Sequence, residues 1–348
     1  MKVHKLFHPV ATLIVCLALA ATPAAAQGFG ARAYGMGGAY TAVADDVASL
    51  LYNPAGLTAS SFEATLGIGS NDFGELTKFQ KILQKDYPDD LNLGLNVLGG
   101  VSLGNYGGAV AVDGSARAMG DCEGGPEFCA DADYMIRYVV GAGFQAAGLP
   151  LDLADLNLGA SISLLGGRRL SHTRTNLDAA TYWGETVDQR AKGYALNLGA
   201  RFKATDIVTV GLVAENVLSS LTWEGTRTEG IYTYAGDEPV GSPAETSLDT
   251  VKERLDTVYR AGVAIEPPML GATIAADVAS DGSLRFGVEK SFLLNRLAVR
   301  AGHAVQDDVR TTTVGLGFNF GPVRVDLAAG SSDGFETVNT MLEGSVRF

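Results

Sequence analysis

The sequence predicts an all-β protein, a transmembrane antiparallel β-barrel of about 14 strands with an N-terminal hatch, meaning a segment folded inside the barrel. Three observations lead to this class. The chain opens with an export signal, and the rest alternates apolar with small or polar residues. It also lacks an uninterrupted apolar stretch of the roughly 18 residues that a spanning helix requires. We therefore divide the chain into signal peptide (1–26), hatch (27–61) and barrel (62–348).

Residues 1–26 have the parts of a secretory signal peptide. Lys2 and Lys5 precede the apolar run 11–21, and the alanines at 24–26 end it. We expect cleavage before Gln27. A lipoprotein anchor on Cys16 is the alternative, but the large Val15 precedes it. Losing the two lysines changes the formal charge from −13 to −15, which argues against nucleic acid as a partner.

The hatch segment does not alternate like a strand. Glycines at 35, 37 and 38 permit tight turns and close contact with a wall. The acidic pair at 45 and 46 could cap a short helix over 47–51, and a proline after an asparagine favours a turn or a helix start. We predict that the characteristic hatch residues are Gly35, Met36, Gly37, Gly38, Asp45, Asp46, Asn53, Pro54 and Ala55.

Alternation with a period of two residues runs from Phe62 to the end of the chain and predicts strands. In 313–320, for example, Val314, Leu316 and Phe318 share one face, and small or polar residues form the other. Each such segment is near the length of about ten residues that crosses a bilayer when tilted. Strands are predicted near 62–70, 91–104, 106–119, 132–146, 155–169, 189–203, 207–217, 256–266, 270–279, 284–291, 296–305, 311–320, 322–330 and 338–348.

The connections between these strands alternate in length, as expected when both termini lie on the periplasmic side. Even-numbered turns are short, whereas four odd-numbered loops are long: 71–90, 120–131, 170–188 and 218–255. In the first loop, apolar residues at 76, 79, 82 and 83 have helical spacing. This short amphipathic helix either guards an entrance for apolar ligands or packs on the rim.

Two cysteines, Cys122 and Cys129, lie in the second of these loops. In an oxidising compartment we expect a disulfide between them, and two unpaired thiols are the alternative. The two histidines of the mature chain, His172 and His303, are remote from this pair in sequence, so we expect no metal site. We also expect no cofactor, since no phosphate-binding loop of the Walker type occurs.

The two faces of the sheet have different expected surroundings. A closed sheet of about 14 strands encloses more space than side chains fill, so the apolar face should meet lipid. Phe144, Phe202, Phe320 and Phe348 fall at predicted periplasmic ends of that face; they form an aromatic girdle or only reflect the preference of aromatics for strands. The polar face should line the lumen. Its charges form an ion-paired wall or a selectivity filter: Arg137, Arg201, Glu215, Arg285, Glu289, Arg300, Arg324 and Asp326.

The C-terminus resembles the signal that the barrel-assembly machinery reads, so we expect that machinery as a partner. Gly344, Val346 and Phe348 match the signal. Leu342 departs from it, because a polar residue is usual there, and an aromatic is common where Val346 stands. Alone this signal is weak, but the export leader strengthens it.

The stretch GARAYGMGGAYTAVADDVASLLYNPAGL, residues 30–57, resembles the hatch of the FadL-type outer-membrane transporter superfamily, most closely its PorV/PorQ-like branch. The resemblance resumes in LRFGVEKSFLLNRLAVRAG and VGLGFNFGPVRVDLA. In the middle of the chain, only the alternation that is typical of strands supports it. It implies a barrel of fourteen strands whose hatch contains Asn53, Pro54 and Ala55. Some members pass long-chain fatty acids or other hydrophobic molecules through the wall, whereas PorV-like members serve protein secretion.

We expect a monomeric outer-membrane protein, not an enzyme, that gives hydrophobic or amphipathic small molecules a passive route. Outer loops would capture the molecule, the hatch would move, and the molecule would leave through the wall into outer-membrane lipid. The alternative is a PorV-like component that supports protein secretion or cell-surface attachment, with loop 218–255 holding secretion-system proteins. A purely structural barrel is a third. Ser171 beside His172 could suggest a hydrolase, but adjacency is not triad geometry.

Overall fold

The computed structural model describes residues 28–60, 62–120, 122, 127–146, 155–178, 180–235, 238–334 and 336–348. The predicted signal peptide and its cleavage site before Gln27 lie outside the described residues. In the described part, no helix has both the length and the apolar character needed to cross a bilayer.

In the described residues, seventeen strands form one antiparallel sheet, and β17 pairs with β1, so the sheet closes on itself. Three short strands, β8 to β10, pair with the distal part of β7, and the other fourteen form the barrel. The predicted class and the strand number are thus confirmed. The strands are β1 (Phe62–Ser70), β2 (Leu91–Leu103), β3 (Tyr106–Gly120), β4 (Phe128–Gln145), β5 (Asn157–Asn176), β6 (Thr181–Thr205), β7 (Val208–Ala235), β8 (Glu238–Gly241), β9 (Ala244–Ser247), β10 (Val251–Glu253), β11 (Val258–Ile265), β12 (Ala272–Ala279), β13 (Leu284–Phe292), β14 (Leu297–Gln306), β15 (Val309–Phe320), β16 (Val323–Ser331) and β17 (Asn339–Arg347).

The barrel has two walls of different height. We call the end that carries Phe62 and Phe348 proximal and the opposite end distal. The strands β5, β6 and β7 have 20, 25 and 28 residues, whereas β11, β12 and β13 have 8, 8 and 9. Because about ten residues cross a bilayer, the long strands extend beyond the short ones at the distal end. We call β4–β7 the tall wall and β11–β17 the short wall.

Two segments predicted as loops, 170–188 and 218–255, are largely strand. β5 continues to Asn176, β6 begins at Thr181, and β7 continues to Ala235. The prediction was wrong because it relied on apolar alternation, which a strand needs only where one face meets lipid. The distal extensions instead carry Thr, Tyr, Glu and Arg, and the shapes of Thr and Tyr favour strands without such alternation.

The apolar face of the barrel points outward, as predicted. On β4, the side chains of Tyr138 and Val140 are 54% and 58% exposed, while Val139 between them is buried against the hatch. At the proximal end, Phe144, Phe320 and Phe348 are exposed on the outer face, and Phe202 is half-buried there. Outward aromatic side chains therefore do collect at this end, where a bilayer interface would meet them.

Residues 28–60, which we call the hatch, lie inside the barrel. They form two short helices, α1 (Ala31–Gly35) and α2 (Ser49–Tyr52), and a 3-10 helix, η1 (Pro54–Ala59). Hatch residues such as Val47, Leu50 and Leu57 pack against the inward Leu98 of β2 and Val139 of β4. The inner face of the wall is therefore covered by protein at this level.

The first distal loop contains a 3-10 helix, η2 (Phe73–Glu75), and the predicted amphipathic helix, α3 (Leu76–Leu83). Phe79 and Ile82 pack with Ala116, Ala130 and Leu170. These three wall residues lie on the outward face, because each is separated by an even number of residues from exposed apolar residues of its own strand. The helix therefore covers the outside of the wall and does not guard an entrance to the lumen.

The next distal connection carries Cys122 and Cys129. The Sγ atoms of Cys122 and Cys129 are bonded, and their Cα atoms lie 6.2 Å apart. Because Cys129 lies at the start of β4, the bond ties the connection to the end of a barrel strand.

Candidate functional site: the hatch and the chamber beside it

The hatch backbone runs against wall positions that have no side chain. A Cβ atom built on any of seven wall glycines would lie between 2.0 and 3.2 Å from the nearest hatch atom, closer than ordinary van der Waals contact. At these seven positions a side chain would collide with the hatch, so the close approach requires glycine. This glycine belt crosses both walls and consists of Gly159, Gly199, Gly211, Gly262, Gly287, Gly302 and Gly315.

The predicted glycine motif forms the turn that enters this belt. Gly37 and Gly38 have φ angles of 64° and 74°, in the left-handed region that favours glycine. The Gly37 backbone N–H donates to Thr313 Oγ1 at 3.1 Å. Gly35 faces Gly315, and Met36 is fully buried. The motif thus reverses the chain while the backbone stays against β13–β15.

Asn53 connects two parts of the hatch to the tall wall. Its side-chain amide donates to the carbonyl oxygens of Thr41 at 2.8 Å and of Ala200 on β6 at 3.1 Å. Its Oδ1 accepts from the Ala55 backbone N–H at 3.1 Å, and Pro54 begins η1 at a position that needs no N–H donor. Asn53 and Ala55 are fully buried. This part of the predicted hatch motif is therefore an anchor.

Buried ions connect the hatch to the short wall. Arg32 on α1 contacts Glu289 on β13 at 3.0 Å, and Glu289 accepts from Arg300 Nε at 2.6 Å. Arg300 in turn contacts Asp326 at 2.7 Å. With one more member at each end, six charges alternate in sign along the contacts, and Asp46 lies beside them at 3.9 Å from Arg32. This ion chain consists of Asp45, Arg32, Glu289, Arg300, Asp326 and Arg324.

Two further wall carboxylates accept hydrogen bonds from the hatch backbone. Glu343 on β17 accepts from the Ala31 N–H at 2.7 Å, at the first residue of α1. Asp277 on β12 accepts from the N–H groups of Tyr40 and Thr41, each at 3.0 Å. The short wall thus fixes the hatch through the ion chain and through these two carboxyl groups.

A chamber of about 430 Å³ lies on the distal side of the hatch, a volume within the range of small-molecule sites. Its floor includes Phe29, Gly38 and Tyr52 of the hatch. Strands of both walls supply its sides, which combine two kinds of residue. The charged residues of the lining are Arg137, Glu215, Arg260 and Arg285. Its apolar residues include Leu51, Leu165, Ala195 and Leu255.

Beside the chamber, backbone pairing along one edge of β7 is interrupted. β7 pairs with β11 below residue 216 and with β10 above residue 220. In between, Asn216 has a φ of 56°, and its side chain donates to the Asp256 carbonyl at 3.1 Å. Ser219 Oγ accepts from the Leu255 N–H at 3.0 Å. We call residues 216–220 and 254–257 the seam. There, side-chain hydrogen bonds take the place of the backbone ladder.

All eight charges predicted for the lumen face the interior, but they have different surroundings. Glu289, Arg300, Arg324 and Asp326 belong to the ion chain, and Arg201 donates to the Ala44 carbonyl of the hatch at 3.0 Å. Arg137, Glu215 and Arg285 line the chamber instead. The interpretation as an ion-paired wall therefore applies to the charges around the hatch, and the interpretation as a selectivity filter applies to the charges of the chamber.

Several residues of this site were not singled out from the sequence. Arg32, Tyr40 and Glu343 gave no signal, because their partners are remote in sequence. The belt glycines did recur on the small face of the strands, yet nothing indicated what they meet. Ser171 and His172 lie on opposite faces of β5, so they form no catalytic pair. The described residues contain no cluster of three His, Cys, Asp or Glu side chains suited to a metal ion.

A closed antiparallel barrel of fourteen strands with its N-terminal segment packed inside defines the class of this protein. No protein-family model and no curated protein matches the sequence. Among solved structures, a TodX monoaromatic hydrocarbon channel deltaS2 mutant has a TM-score of 0.62 at 15% identity, covering 93% of this chain and 100% of that chain. A CymD monoaromatic hydrocarbon channel has a TM-score of 0.57 at 14% identity, and the match covers 93% of this chain and 98% of that chain. A Pseudomonas aeruginosa FadL homologue has a TM-score of 0.51 at 8% identity, and the match covers 92% of this chain and 98% of that chain. At these identities the similarity establishes the fold.

Proposed function

We propose that this protein is an outer-membrane channel of the FadL-type superfamily that gives hydrophobic or amphipathic small molecules a passive route. The observation that carries the proposal is the chamber, which combines apolar and charged lining, has the hatch as its floor and borders the seam. The similar TodX and CymD structures are monoaromatic hydrocarbon channels, which supports the choice of cargo.

The route would begin at the distal mouth and continue through the chamber. A ligand there is close to the hatch turn at Gly37 and Gly38 and to the seam at Asn216 and Ser219, where side-chain hydrogen bonds replace the backbone ladder. Opening the seam breaks side-chain hydrogen bonds and leaves the ladders on either side intact. An apolar molecule would then leave sideways into lipid, driven by its own partitioning.

Export and assembly belong to the same proposal. The signal at 1–26 would direct the chain across the inner membrane, and the assembly machinery would read the end of β17. Gly344, Val346 and Phe348 share the outward face at this end of the chain, and Phe348 is 85% exposed, so the matching residues lie on the outer surface of the closed barrel. Deleting Phe348 should lower the amount of folded barrel, measured as the heat-modifiable band in outer-membrane fractions.

The function is tested by uptake of an apolar dye, N-phenylnaphthylamine, into Gram-negative cells whose lipopolysaccharide leaflet slows its entry. Cells that make this protein should take up the dye several-fold faster than cells that make an equal amount of an unrelated barrel of similar size. Equal rates, with the folded protein verified in the outer membrane, would contradict the proposed route.

A PorV-like role in secretion or surface attachment is the second candidate, and the height of the tall wall favours it. β8, β9 and β10 line the distal part of β7, and the described side chains of β9 and β10 are exposed. Such a surface is available to a protein partner. Crosslinking in intact cells followed by identification of envelope proteins would support this role if a secretion component is recovered with the protein and lost when 238–253 is replaced by a short turn.

A further inference from the structure

The outer face of the tall wall changes character along β6. Between Phe202 and Tyr194 every second residue points outward and is apolar or aromatic, and Leu198 and Tyr194 are each 45% exposed. This stretch is near the length of about ten residues that crosses a bilayer when tilted. The next outward residues are Lys192 and Arg190, and both are exposed. These cations therefore lie where the hydrocarbon of the distal leaflet ends and its headgroups begin.

Neighbouring strands place further cations at this level. Lys192 is in register with Thr222 of β7, which is in register with Lys252 of β10. Arg190 is in register with Arg168 of β5. Directly opposed residues of paired strands point to the same side of a sheet, so these side chains share the outer face. We call them the basic cluster: Arg168, Arg190, Lys192 and Lys252.

Acidic groups on this face neutralise only part of the basic cluster. Asp188 accepts two hydrogen bonds from Arg168, each at 2.9 Å, and Glu224 is in register with Arg190. Within the ranges that the structure describes, no carboxylate oxygen lies within 4.0 Å of the charged groups of the other three members. The chain as a whole has a formal charge of −13, so this is a local surplus of cations. Such a surface attracts an anion.

An open notch and an apolar groove adjoin the basic cluster. Gly166 of β5 lies on the outer face in register with Lys192, and a Cβ atom there would meet nothing within 4 Å. Directly proximal to this notch, Leu164 borders a groove of about 510 Å³ in the outer face. Two of the outward residues that line the groove are glycines, which leaves it hollow. Its outward lining includes Gly99, Val101, Gly108, Val110, Tyr138 and Leu164.

The basic cluster and the groove together define the chemistry of an occupant. Arginine binds a phosphate through paired hydrogen bonds, and lysine binds it as a point charge. The groove accepts a hydrocarbon chain whose headgroup lies on its distal side. The cluster extends over four neighbouring strands, about 14 Å at the usual strand spacing, which is more than one phosphate can contact. The lipid anchor of lipopolysaccharide carries two phosphates and several acyl chains on one headgroup, and it fits this arrangement.

We propose that the basic cluster binds the phosphates of lipopolysaccharide in the distal leaflet, with a phosphate at the Gly166 notch and an acyl chain in the groove. The site lies on the outside of the barrel and shares no lining residue with the chamber. It goes beyond the proposed channel function and rests only on the proposed location in an outer membrane. A lipid bound there would fix the height of the tall wall relative to the bilayer.

The test compares diphosphoryl lipid A with monophosphoryl lipid A that has the same acyl chains. Binding to the purified full-length barrel in a non-ionic detergent is measured by native mass spectrometry. We expect the native protein to bind the diphosphoryl form at least about tenfold more tightly, because charge-assisted hydrogen bonds contribute a factor of roughly ten or more. Arg190→Gln/Lys192→Gln should lower the affinity for this form by at least about tenfold for the same reason. Equal binding of both lipids by the native protein, or an unchanged affinity in the double variant, would overturn the site.

Two further variants separate a built site from general attraction between charges. Arg296→Gln/Arg310→Gln removes the same charge from exposed residues of the short wall and should keep the native affinity, since distant exposed charges are screened by salt. An equal loss in both double variants would overturn the site. Gly166→Leu fills the notch without changing any charge and should lower the affinity for diphosphoryl lipid A several-fold. An unchanged affinity would overturn the notch as the place of a phosphate. Heat-modifiable mobility verifies that each variant is folded.

A last comparison separates the lipid from a free anion and the site from the channel. Inorganic phosphate at the same concentration should not displace bound lipid A, because it has no acyl chain for the groove. Displacement would overturn the lipid as occupant. Dye uptake measures the channel independently: selective lipid binding without dye uptake supports this site and contradicts the channel, whereas dye uptake without selective lipid binding keeps the channel and overturns this site.

Discussion

The short wall and the tall wall hold the same hatch by different means. On the short wall, the ion chain and the carboxyl groups of Asp277 and Glu343 bind hatch groups. On the tall wall, the hatch meets Gly159 and Gly199 and donates to the Ala200 carbonyl, and Arg201 donates to the Ala44 carbonyl of the hatch. Belt glycines fit the hatch closely on both walls, but among the described residues only the short wall forms ion pairs with it.

This difference indicates which side would release the hatch first. Separating the ion chain would leave buried charges without partners, which costs several kcal/mol. Moving the hatch away from the tall wall breaks the hydrogen bond from Arg201, worth about 1.5–3 kcal/mol, together with neutral hydrogen bonds of about 1 kcal/mol each and van der Waals contacts. We therefore expect a hatch movement in which the tall-wall contacts open while the short-wall contacts persist. The predictions below test the two attachments separately.

Removing the hatch abolishes both attachments at once and should have the largest effect. A barrel of about 14 strands without its inner segment leaves a water-filled lumen. Deleting residues 28–57 should raise the single-channel conductance in planar bilayers well above that of the intact protein. A folded deletion variant with unchanged conductance would mean that this segment does not obstruct the lumen. An intact protein that already conducts like an open porin would weaken the case for hydrophobic cargo.

Glu289→Gln breaks the electrostatic attachment in the middle of the ion chain. The substitution keeps the shape of the side chain but leaves Arg32 and Arg300 without their shared counter-ion. We expect the free energy of unfolding to fall by about 3–5 kcal/mol, measured by urea titration in micelles. Glu266→Gln, at an exposed residue of a proximal turn, is the control and should change little. A loss of under about 1 kcal/mol would mean that the ion chain does not hold the hatch.

Gly159→Ala tests the close fit on the tall wall. The new Cβ atom would lie 2.2 Å from the Pro54 carbonyl carbon, so the hatch or the strand must shift. Overpacking of this kind costs about 1–3 kcal/mol, and conductance should rise because η1 is displaced. Gly166→Ala on the same strand is the control, since its Cβ would meet nothing within 4 Å. Equal effects of the two substitutions would argue against the glycine belt.

Asn53→Ala removes the hydrogen bonds that connect the hatch to Ala200 and Thr41. The two buried carbonyls lose a donor, at a cost of about 1–3 kcal/mol, while the charged contacts remain. Conductance should rise less than after deletion of the hatch, with brief openings. Asn319→Ala, which loses a similar bond to the Asn295 carbonyl at an exposed turn, is the control. Openings as long as those of the deletion variant would mean that the short-wall contacts alone do not keep the hatch in the lumen.

The smallest effect is expected outside the barrel, at the contact between the first distal loop and the tall wall. His172, on the distal extension of β5, stacks on Tyr87 with ring centroids 4.1 Å apart. Burial, and secondarily the charge of Arg174, lowers the pKa of His172 to about 4. The neutral imidazole is therefore favoured in the folded loop.

The contribution of this stack is fully present above about pH 6.5, the ordinary pKa of histidine, and is lost as the pH falls toward 4. Hydrogen exchange in residues 71–90, corrected for the intrinsic effect of pH, should accelerate over that range. His172→Phe keeps a stacked ring and should remove the acceleration. A change in conductance over the same range in native protein but not in His172→Phe would contradict the separation of this loop from the hatch.

Much of this molecule could be predicted from local patterns. Strand positions followed from alternation, and the fourteen strands and the outward apolar face were confirmed. Predictions were wrong for 170–188 and 218–255, where polar strands rise beyond the expected lipid band and alternation disappears. For the hatch, the sequence predicted the glycines and Asn53 as characteristic residues but not their partners, because Thr313 and Ala200 lie 276 and 147 residues away in sequence.

The sequence by itself determined the class of protein, since a period of two residues and the absence of a spanning apolar run leave few other structures for a chain of this length. Only the tertiary structure decided which charges are paired. Arg285 and Arg300 lie on neighbouring strands and look alike in the sequence, yet one lines the chamber and the other is buried between Glu289 and Asp326. The reason is that closure of the barrel and the path of the hatch inside it fix each inward side chain's neighbours, and residues distant in the chain supply them.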